Sequence, residues 1–554
     1  MSIRSVALYQ AITRDVGSYV GSDLLDLPNM NPDASIDKVA ASCLLNSVLK
    51  KFITDEKPDA GDLAISKFLE SNDRCKDWNP ILDWESDRLL YGEFRKEVDD
   101  FFFHDGQYLF ESYFDILKYA RTGPGAAIGA SSQSFYSKLF SSKLSSTSED
   151  LYIMYRNYLR WFPTFLEAEH HRLRDFGGLS VVDSSKVVLV PKTNDIKRLI
   201  CVEPSLNMFF QLGLGTLMEK RLEDRFGIDL SSQPSINKRL ACAGSIDGSF
   251  ATIDLSSASD SISIGLCRAV LPKYIFDVLM DLRSPNVTIN GQLHSLNMIS
   301  TMGNGFTFPL QTILFTCLLR AAYSVSGVYP KRADANNPNL GCFGDDLICS
   351  KECFRNVTRL LHILGFRCNS KKTFFEGQFR ESCGGDFFKG HYVRPVYIKK
   401  LETLQDLFVA FNSFNDWSSL TNIPLRNTIQ LLLSWIRPKF RTWFVPPDEN
   451  ADSGLRVPFI VAKDYVKHNM NQSCIYRAFS SVSKYYSISE GCVRSPEGGK
   501  KLKYNPSGLL LSFLLGEVVS CKISVRHDIV SYRARTKVTP FWDNLPFGHG
   551  PNGY

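Results

Sequence analysis

Leu340-Gly-Cys-Phe343-Gly344-Asp345-Asp346-Leu-Ile-Cys349 decides the fold of this chain. Apolar residues flank a Gly-Asp-Asp centre, the pattern of a strand, a tight turn and a second strand with two acids at the tip. Adjacent aspartates repel, and each raises the proton affinity of the other, so a turn that presents both between apolar strands calls for a compensating cation. Hard carboxylate oxygens suit Mg2+ or Mn2+, with the remaining coordination positions left to water and phosphate oxygens. Gly-Asp is also common hairpin sequence, and an Asp-rich β-turn without a ligand is the competing reading of this stretch taken alone.

Upstream, Phe250-Ala-Thr-Ile253 reads as a short apolar strand ending in Asp254, and the Leu255-Ser-Ser-Ala-Ser-Asp260-Ser run after it has helix-capping composition. If the end of this strand lies beside the Asp345-Asp346 tip in one sheet, three carboxylates can hold two metal ions. In phosphoryl transfer one such ion lowers the pKa of an attacking hydroxyl and the other stabilises the leaving pyrophosphate. Between the acids, Ser300-Thr-Met-Gly303-Asn304-Gly305-Phe-Thr-Phe-Pro309 is a Gly-rich loop entering an apolar helix around Leu310 to Ala322. Pro309 is tolerated in a first turn, where its missing N–H has no partner to lose. The loop's hydroxyls and amide beside a helix start suit a sugar or phosphate contact. It lacks the Gly-Lys-Ser/Thr of a P-loop and the third glycine of a dinucleotide fingerprint. Past the tip, Phe354, Val357, Leu360, Leu361 and Leu364 recur at helical spacing, with Gly365 as a stop. Lys371-Lys372 then either reaches the acids, where a lysine can protonate pyrophosphate, or remains a solvated pair.

On the N-terminal side, Val187–Pro191 predicts a strand running into Lys192-Thr-Asn-Asp195-Ile-Lys197-Arg198, three cations within seven residues. That density either lines a triphosphate channel or forms a solvated face. Residues 1 to about 120 read as helical pieces ending in the loop Gly123-Pro124-Gly125-Ala-Ala-Ile-Gly129, a Gly/Pro turn or a phosphate-backbone contact. Residues 131–180 read as helical again. His170-His171 lacks HExxH spacing, which favours a solvated helix surface over a metal site. Residues 401–554 read as helical and irregular, with Trp417, Trp435 and Trp443. Between Arg494 and Pro540 nine Lys/Arg against three Asp/Glu give a local surplus of +6, interleaved with Tyr504 and Tyr532. This is either a phosphate-tracking surface or a basic patch with no particular partner.

Composition sets the outer bounds. At 554 residues, 44% hydrophobic and 22% charged, the chain has material for several domain-sized units; disorder is not the default reading, and a fibrous or low-complexity protein is excluded. A net charge of +6, from 64 Lys+Arg against 58 Asp+Glu, does not by itself indicate nucleic acid. The 14 cysteines include no CxxC pair and predict free thiols of a reducing cytosol; Cys349 and Cys353 have no second ligand pair at zinc spacing. The N-terminal stretch has no long apolar core or cleavage site, and no uncharged run reaches bilayer length, which predicts a soluble cytosolic protein.

Thr252-Ile-Asp-Leu-Ser-Ser-Ala-Ser-Asp-Ser-Ile-Ser263, Ser300-Thr-Met-Gly-Asn-Gly-Phe-Thr-Phe308, Phe343-Gly-Asp-Asp346 and Phe379-Arg-Glu-Ser-Cys-Gly384, in this order, resemble the palm motifs of RNA-dependent RNA polymerases. Within these the chain is similar to the replicase β subunit of leviviruses, the small positive-strand RNA bacteriophages. The motifs span roughly residues 185 to 400. The resemblance implies an α+β, right-hand polymerase fold: N-terminal region and fingers over 1–245, a palm of antiparallel sheet flanked by helices over 246–400, and thumb and C-terminal region over 401–554. It implies primer-independent, template-directed nucleotidyl transfer on single-stranded RNA in the cytoplasm of an infected bacterium. By motif position Asp254, Asp345 and Asp346 are the metal ligands for two Mg2+ ions, with Mn2+ as a substitute. Asp260 with Asn304 and Ser300 senses the ribose 2′-OH, Gly303 belongs to the same nucleotide-binding loop, and Lys192, Lys197 and Arg198 bind the triphosphate. Phe343 stands where a tyrosine is common, a change of packing more than of chemistry. The resemblance also implies host partners, elongation factors Tu and Ts and a ribosomal protein. A reverse transcriptase or metal nuclease built on the same acids, and a non-catalytic RNA-binding protein relying on the basic C-terminal stretch, are the rival expectations.

Overall fold

Alternation of small apolar residues in Phe250–Ile253 and around the Gly-Asp-Asp turn does build one sheet. In the computed structural model, which describes residues 3–21, 33–52, 59–130, 132–489, 491–495, 501–525 and 530–543, strands Gly341–Phe343, Asp346–Ser350 and Phe250–Ile253 lie antiparallel in that order. Helices cover this small sheet. Gln233–Asp247 packs Leu240 and Ala241 against Ile348, while Thr307–Val325 and Phe354–Ile363 close the core around Leu347 and Cys349. Helix Thr307–Val325 is apolar all round because it is surrounded. Arg320, its one charged residue, places Nε 2.7 Å from Glu97 Oε2 on helix Glu85–Phe102. By length and composition alone this helix could cross a membrane, but it carries Arg320 and 78% of its most apolar window is buried within the protein.

A second sheet, of four strands, is ordered Lys197–Val202, Ser184–Pro191, Asn286–Ile289, Gln292–Ser295. The first two form the hairpin expected from Val187–Pro191, with Pro191 opposite Lys197. Ser184–Pro191 runs parallel to Asn286–Ile289, so a division of the chain at 245/246 cuts through a hydrogen-bonded sheet. Trp78 ties the N-terminal helices to the end of helix Phe354–Ile363. Its Nε1–H donates to the Leu364 carbonyl (3.0 Å), and its ring leaves no room for a Cβ at Gly365, whose φ of +88° already requires glycine.

A separate core joins the N-terminal helices to the chain from Phe374 onward. Leu8, Ile12 and Val16 of helix Ile3–Val20 pack with Phe408, Phe411 and Leu432 of helices Leu404–Thr421 and Arg426–Trp435. Asp15 caps the later helix, accepting from the backbone N–H groups of Asn427 (2.9 Å) and Thr428 (2.8 Å). Beyond Phe444 the expectation of helical and irregular structure is corrected: strands dominate. Cys474–Val482 pairs antiparallel with Ser531–Thr539 over nine residues, and a five-stranded sheet is formed by the chain between these two strands. Cys-Ile-Tyr-Arg-Ala-Phe-Ser-Ser-Val and Ser-Tyr-Arg-Ala-Arg-Thr-Lys-Val-Thr both carry the period-2 alternation and β-branched content of strands. The basic stretch is thereby divided. Lys522 lies in the five-stranded sheet and Arg533, Arg535 and Lys537 in the other, while Tyr504 packs against the main core; Lys500 and Arg526 lie outside the described residues.

The stretch expected to be a solvated helix surface is so only at His170. Glu169 beside it is fully buried, paired with Arg172 Nε at 2.7 Å. All fourteen cysteines are free thiols, Cys349 and Cys353 among the fully buried ones.

Candidate active site

The sheet register brings the acids together. Leu347 faces Ile253, so one residue further along the same register Asp346 stands opposite Asp254, and Asp345 occupies the turn beside them. Gly344 makes that turn: with φ +60° at the first of two central residues it fits the II′ geometry that hairpin twist favours, and a Cβ there would strike the Phe308 ring. The Phe343 ring meets Phe308 edge-on at 4.8 Å, so the residue before Gly344 contributes packing.

All three carboxylates are partly buried, and they disturb one another. Burial first, then the charge of Asp345, pushes Asp346 up to about 6, while the Cys383 backbone N–H pulls the other way. Burial also raises Asp345, with Asp254 adding to it and Lys192 and Lys372 opposing. Asp254 is the better supported. Its Oδ2 accepts from Asn369 Nδ2 at 2.9 Å, and Lys372 Nζ lies 3.4 Å from its Oδ1. Among the described residues no three His, Cys, Asp or Glu side chains are gathered closely enough to hold a metal ion. The chemistry of the donor set nevertheless fits one: hard oxygens, half-withdrawn from water and mutually repelling, with a lysine ammonium supplying the compensating charge on one of them.

Lys192, Lys197 and Arg198 share the hairpin Ser184–Val202 but do not act alike. Adjacent strand residues project to opposite faces, so Lys197 and Arg198 diverge. Burial lowers the Lys192 ammonium, followed by the charges of Arg198 and Lys372, with Asp254 and Asp345 opposing; Lys192 thus stands in the field of the acids with Arg198 at its side.

The remaining candidates form a second group. Asp260, in the turn Ala258–Ser261, is raised to about 6 by burial, with the Met302 backbone N–H opposing. Its Oδ1 has no partner, and neither has the buried Oγ of Ser300. Asn304 Oδ1 is taken up internally, accepting from Thr301 N–H (2.8 Å) and Thr301 Oγ1 (2.9 Å), which leaves its amide nitrogen without a protein partner. Gly303 has φ +142°, and a Cβ there would collide with the Cys201 carbonyl. Asn304 fronts a cavity of about 360 Å3 whose other wall is the Gly123–Ala127 loop. That loop is a turn held from behind by buried Lys138, whose Nζ donates to the carbonyls of Gly123 and Gly125.

Several site residues escape sequence reasoning. Asn369, Glu381 and Cys383 all bear on the acids, Glu381 through the field it exerts on Asp346 and Lys372. The stretch Phe379–Gly384 signalled its importance by resemblance, without indicating that its glutamate faces the tip. Both lysines of the pair are exposed, and it is Lys372 that reaches Asp254.

Residues 3–498 match the family model described as RNA replicase, beta-chain. The RNA-directed RNA polymerase beta chain of Enterobacteria phage fr is 32% identical over 484 residues, 83% of this chain and 83% of that one. The corresponding chain of Escherichia phage MS2 is 43% identical over 238 residues (43% and 42% of the two chains). The beta subunit of Escherichia virus Qbeta is 38% identical over 275 residues (49% and 45%). Among solved structures, the RNA-dependent RNA polymerase of a human picorbirnavirus aligns at 12% identity and a TM-score of 0.40, over 70% of this chain and 76% of that one. With a family match over nearly its whole length and a relative shared over most of both chains, this chain belongs to the RNA replicase beta-chain family and is an RNA-directed RNA polymerase.

Proposed function

We propose that the acid-bearing end of the palm sheet is the nucleotidyl-transfer site of a replicase that copies a single-stranded RNA phage genome without a primer. The observation that carries this is the register that sets Asp346 opposite Asp254 with Asp345 in the adjoining turn. Asp254, Asp345 and Asp346 are assigned as ligands of Mg2+, with Mn2+ as substitute. Bound there, divalent cations supply the positive charge that activates a hydroxyl and offsets a leaving pyrophosphate. Lys192 and Arg198 bind the triphosphate, Arg198 by its fork of N–H donors. Lys372 remains protonated, since Glu381 and Asp254 outweigh the effect of its burial, and is placed to give a proton to pyrophosphate. Asp260 Oδ1 and Ser300 Oγ, both buried without a partner, and the Asn304 amide nitrogen beside them serve a ribose 2′-OH, a group that is both donor and acceptor. The fingers, palm and thumb are assigned to 1–245, 246–400 and 401–554, the first two sharing the four-stranded sheet. The place of action is the cytoplasm of the infected bacterium, and the partners are the RNA template, nucleoside triphosphates, and host elongation factors Tu and Ts with a ribosomal protein.

The test is Mg2+-dependent incorporation of labelled ribonucleotides on single-stranded RNA, with and without bacterial extract, comparing the unaltered chain with Asp345→Asn. Full-length complementary RNA from the first and none from the second is the expected result, and dependence on extract reports the host partners. Equal RNA binding with no synthesis by either under any supplement overturns the assignment.

A further inference from the structure

Gln211 connects the two substrate-facing groups, and nothing above assigns it a role. It is fully buried on helix Ser205–Phe226. Its Oε1 accepts from the Gly305 backbone N–H at 3.0 Å. Its Nε2 donates to Glu203 Oε2 at 3.0 Å and to the Leu282 carbonyl at 2.8 Å. The amide cannot be reversed, since a carbonyl oxygen and a carboxylate on one side can only accept and a backbone N–H on the other can only donate. Glu203, also fully buried, directly follows the strand that carries Arg198, and Ser284 Oγ donates to the same Oε2 at 2.8 Å. Strand and loop meet again where Cys201 N–H donates to the Met302 carbonyl at 2.9 Å. The loop Met302–Gly305 is therefore pinned at both ends, by backbone at Met302 and by one side chain at Gly305.

We propose that Gln211 is a positioning residue for sugar selection: by anchoring Gly305 it fixes the Asn304 amide nitrogen relative to Asp260 and Ser300, and so sets the preference for ribonucleotides over 2′-deoxynucleotides. This rests on the ribose-sensing role proposed for Asp260, Ser300 and Asn304. Gln211 touches no substrate. A deoxynucleotide makes no use of a 2′-OH contact, so loosening the loop weakens ribonucleotide use alone.

The experiment measures kcat and KM for a ribonucleoside triphosphate and its 2′-deoxy counterpart, using the full chain in whichever assembly supports synthesis. Gln211→Met removes both ends of the amide at similar volume. It is expected to cut ribonucleotide kcat/KM by about tenfold, chiefly through KM, and to leave the deoxynucleotide value unchanged. Gln211→Glu in its protonated form keeps an acceptor for Gly305 and a donor for Glu203, with Asn207 Nδ2 (3.0 Å) still serving Leu282, and is expected to retain the preference. In the Asn304→Ala background, Gln211→Met is expected to add nothing further. Equal losses on both sugars, or additivity with Asn304→Ala, overturns the proposal. Should Gln211→Met fail to fold, Gly305→Ala presses the same loop position away from Leu212 and is held to the same sugar-dependent outcome. If Asn304→Ala leaves the ribonucleotide preference intact, the ribose-sensing reading itself fails. If Asn304→Ala abolishes the preference while Gln211→Met keeps it, only the role of Gln211 fails.

Discussion

Asp87 and Asp346 are aspartates of one protein with opposite electrostatic lives. Asp87 is fully buried at the start of helix Glu85–Phe102, yet Arg359 grips both its oxygens (2.8 and 2.6 Å), and the Asp83 and Trp84 backbone N–H groups donate to it. The Arg359 hydrogen bond foremost holds it down to about 2, against the effect of burial. Asp346 has no such set of donors: its withdrawal from water first, and then the negative charges of Asp345, Glu381 and Asp254, raise it to about 6. A carboxylate that serves the fold is saturated with donors; one kept for a ligand is left short of them, and the fold bears the strain until the ligand arrives.

The contrast can be broken most forcefully at the tip. Asp345→Asn is expected to lower Mg2+-dependent incorporation by about 10³-fold or more, while the melting temperature does not fall and rises slightly, because a buried repulsive charge is gone. Asp87→Asn should do the reverse, lowering stability by about 2–3 kcal/mol in denaturant titration while activity per folded molecule is kept. Next in size, Lys372→Met is expected to reduce kcat by about tenfold, and Lys371→Ala to leave it unchanged, which separates a proton donor from a solvated neighbour. The finest distinction is in pH. Asp87 has a folded-state value below the unfolded one of about 3.9, so its stabilisation is present above about pH 4 and is lost as pH falls toward 2. Asp346 is shifted upward, so in metal-free buffer its contribution is fullest below about pH 4 and is lost as pH rises through 6. Melting temperature against pH should therefore lose its acid-side rise in Asp87→Asn and its decline between about pH 4 and 6 in Asp346→Asn.

What the sequence discloses is what short-range patterning encodes. Phe250–Ile253, the hairpin around Gly344-Asp345 and the helix ending before Gly365 were all legible, because alternation, a turn glycine and helical spacing act within a dozen residues. Asp260, Ser300 and Asn304 could be named by motif position, though not the lack of partners at Asp260 Oδ1 and Ser300 Oγ. The parallel pairing of Ser184–Pro191 with Asn286–Ile289 joins segments about a hundred residues apart and leaves no local mark. Gln211 and Asn369 are ordinary polar residues in sequence that only tertiary packing brings to the site, and Glu381 lies in a stretch marked by resemblance without a sign of its field on Asp346. The strands after Phe444 were misread because scattered tryptophans and short alternating runs carry less weight than their long-range pairing does.

The cap that Asp15 places on the helix at Arg426 spans 412 residues of chain. A ribosome adding roughly 5–20 residues per second emits the first helix some tens of seconds before the helix it must cap exists. Throughout that interval Leu8, Ile12 and Val16 have only the neighbouring helix Ile36–Ser47 to pack on, and the side of this core that Phe408, Phe411 and Leu432 complete stays uncovered. Production of this polymerase in its native state is thus gated by the time its own message takes to be read, and slowing translation between these two segments lengthens the window in which the chain can be lost to aggregation.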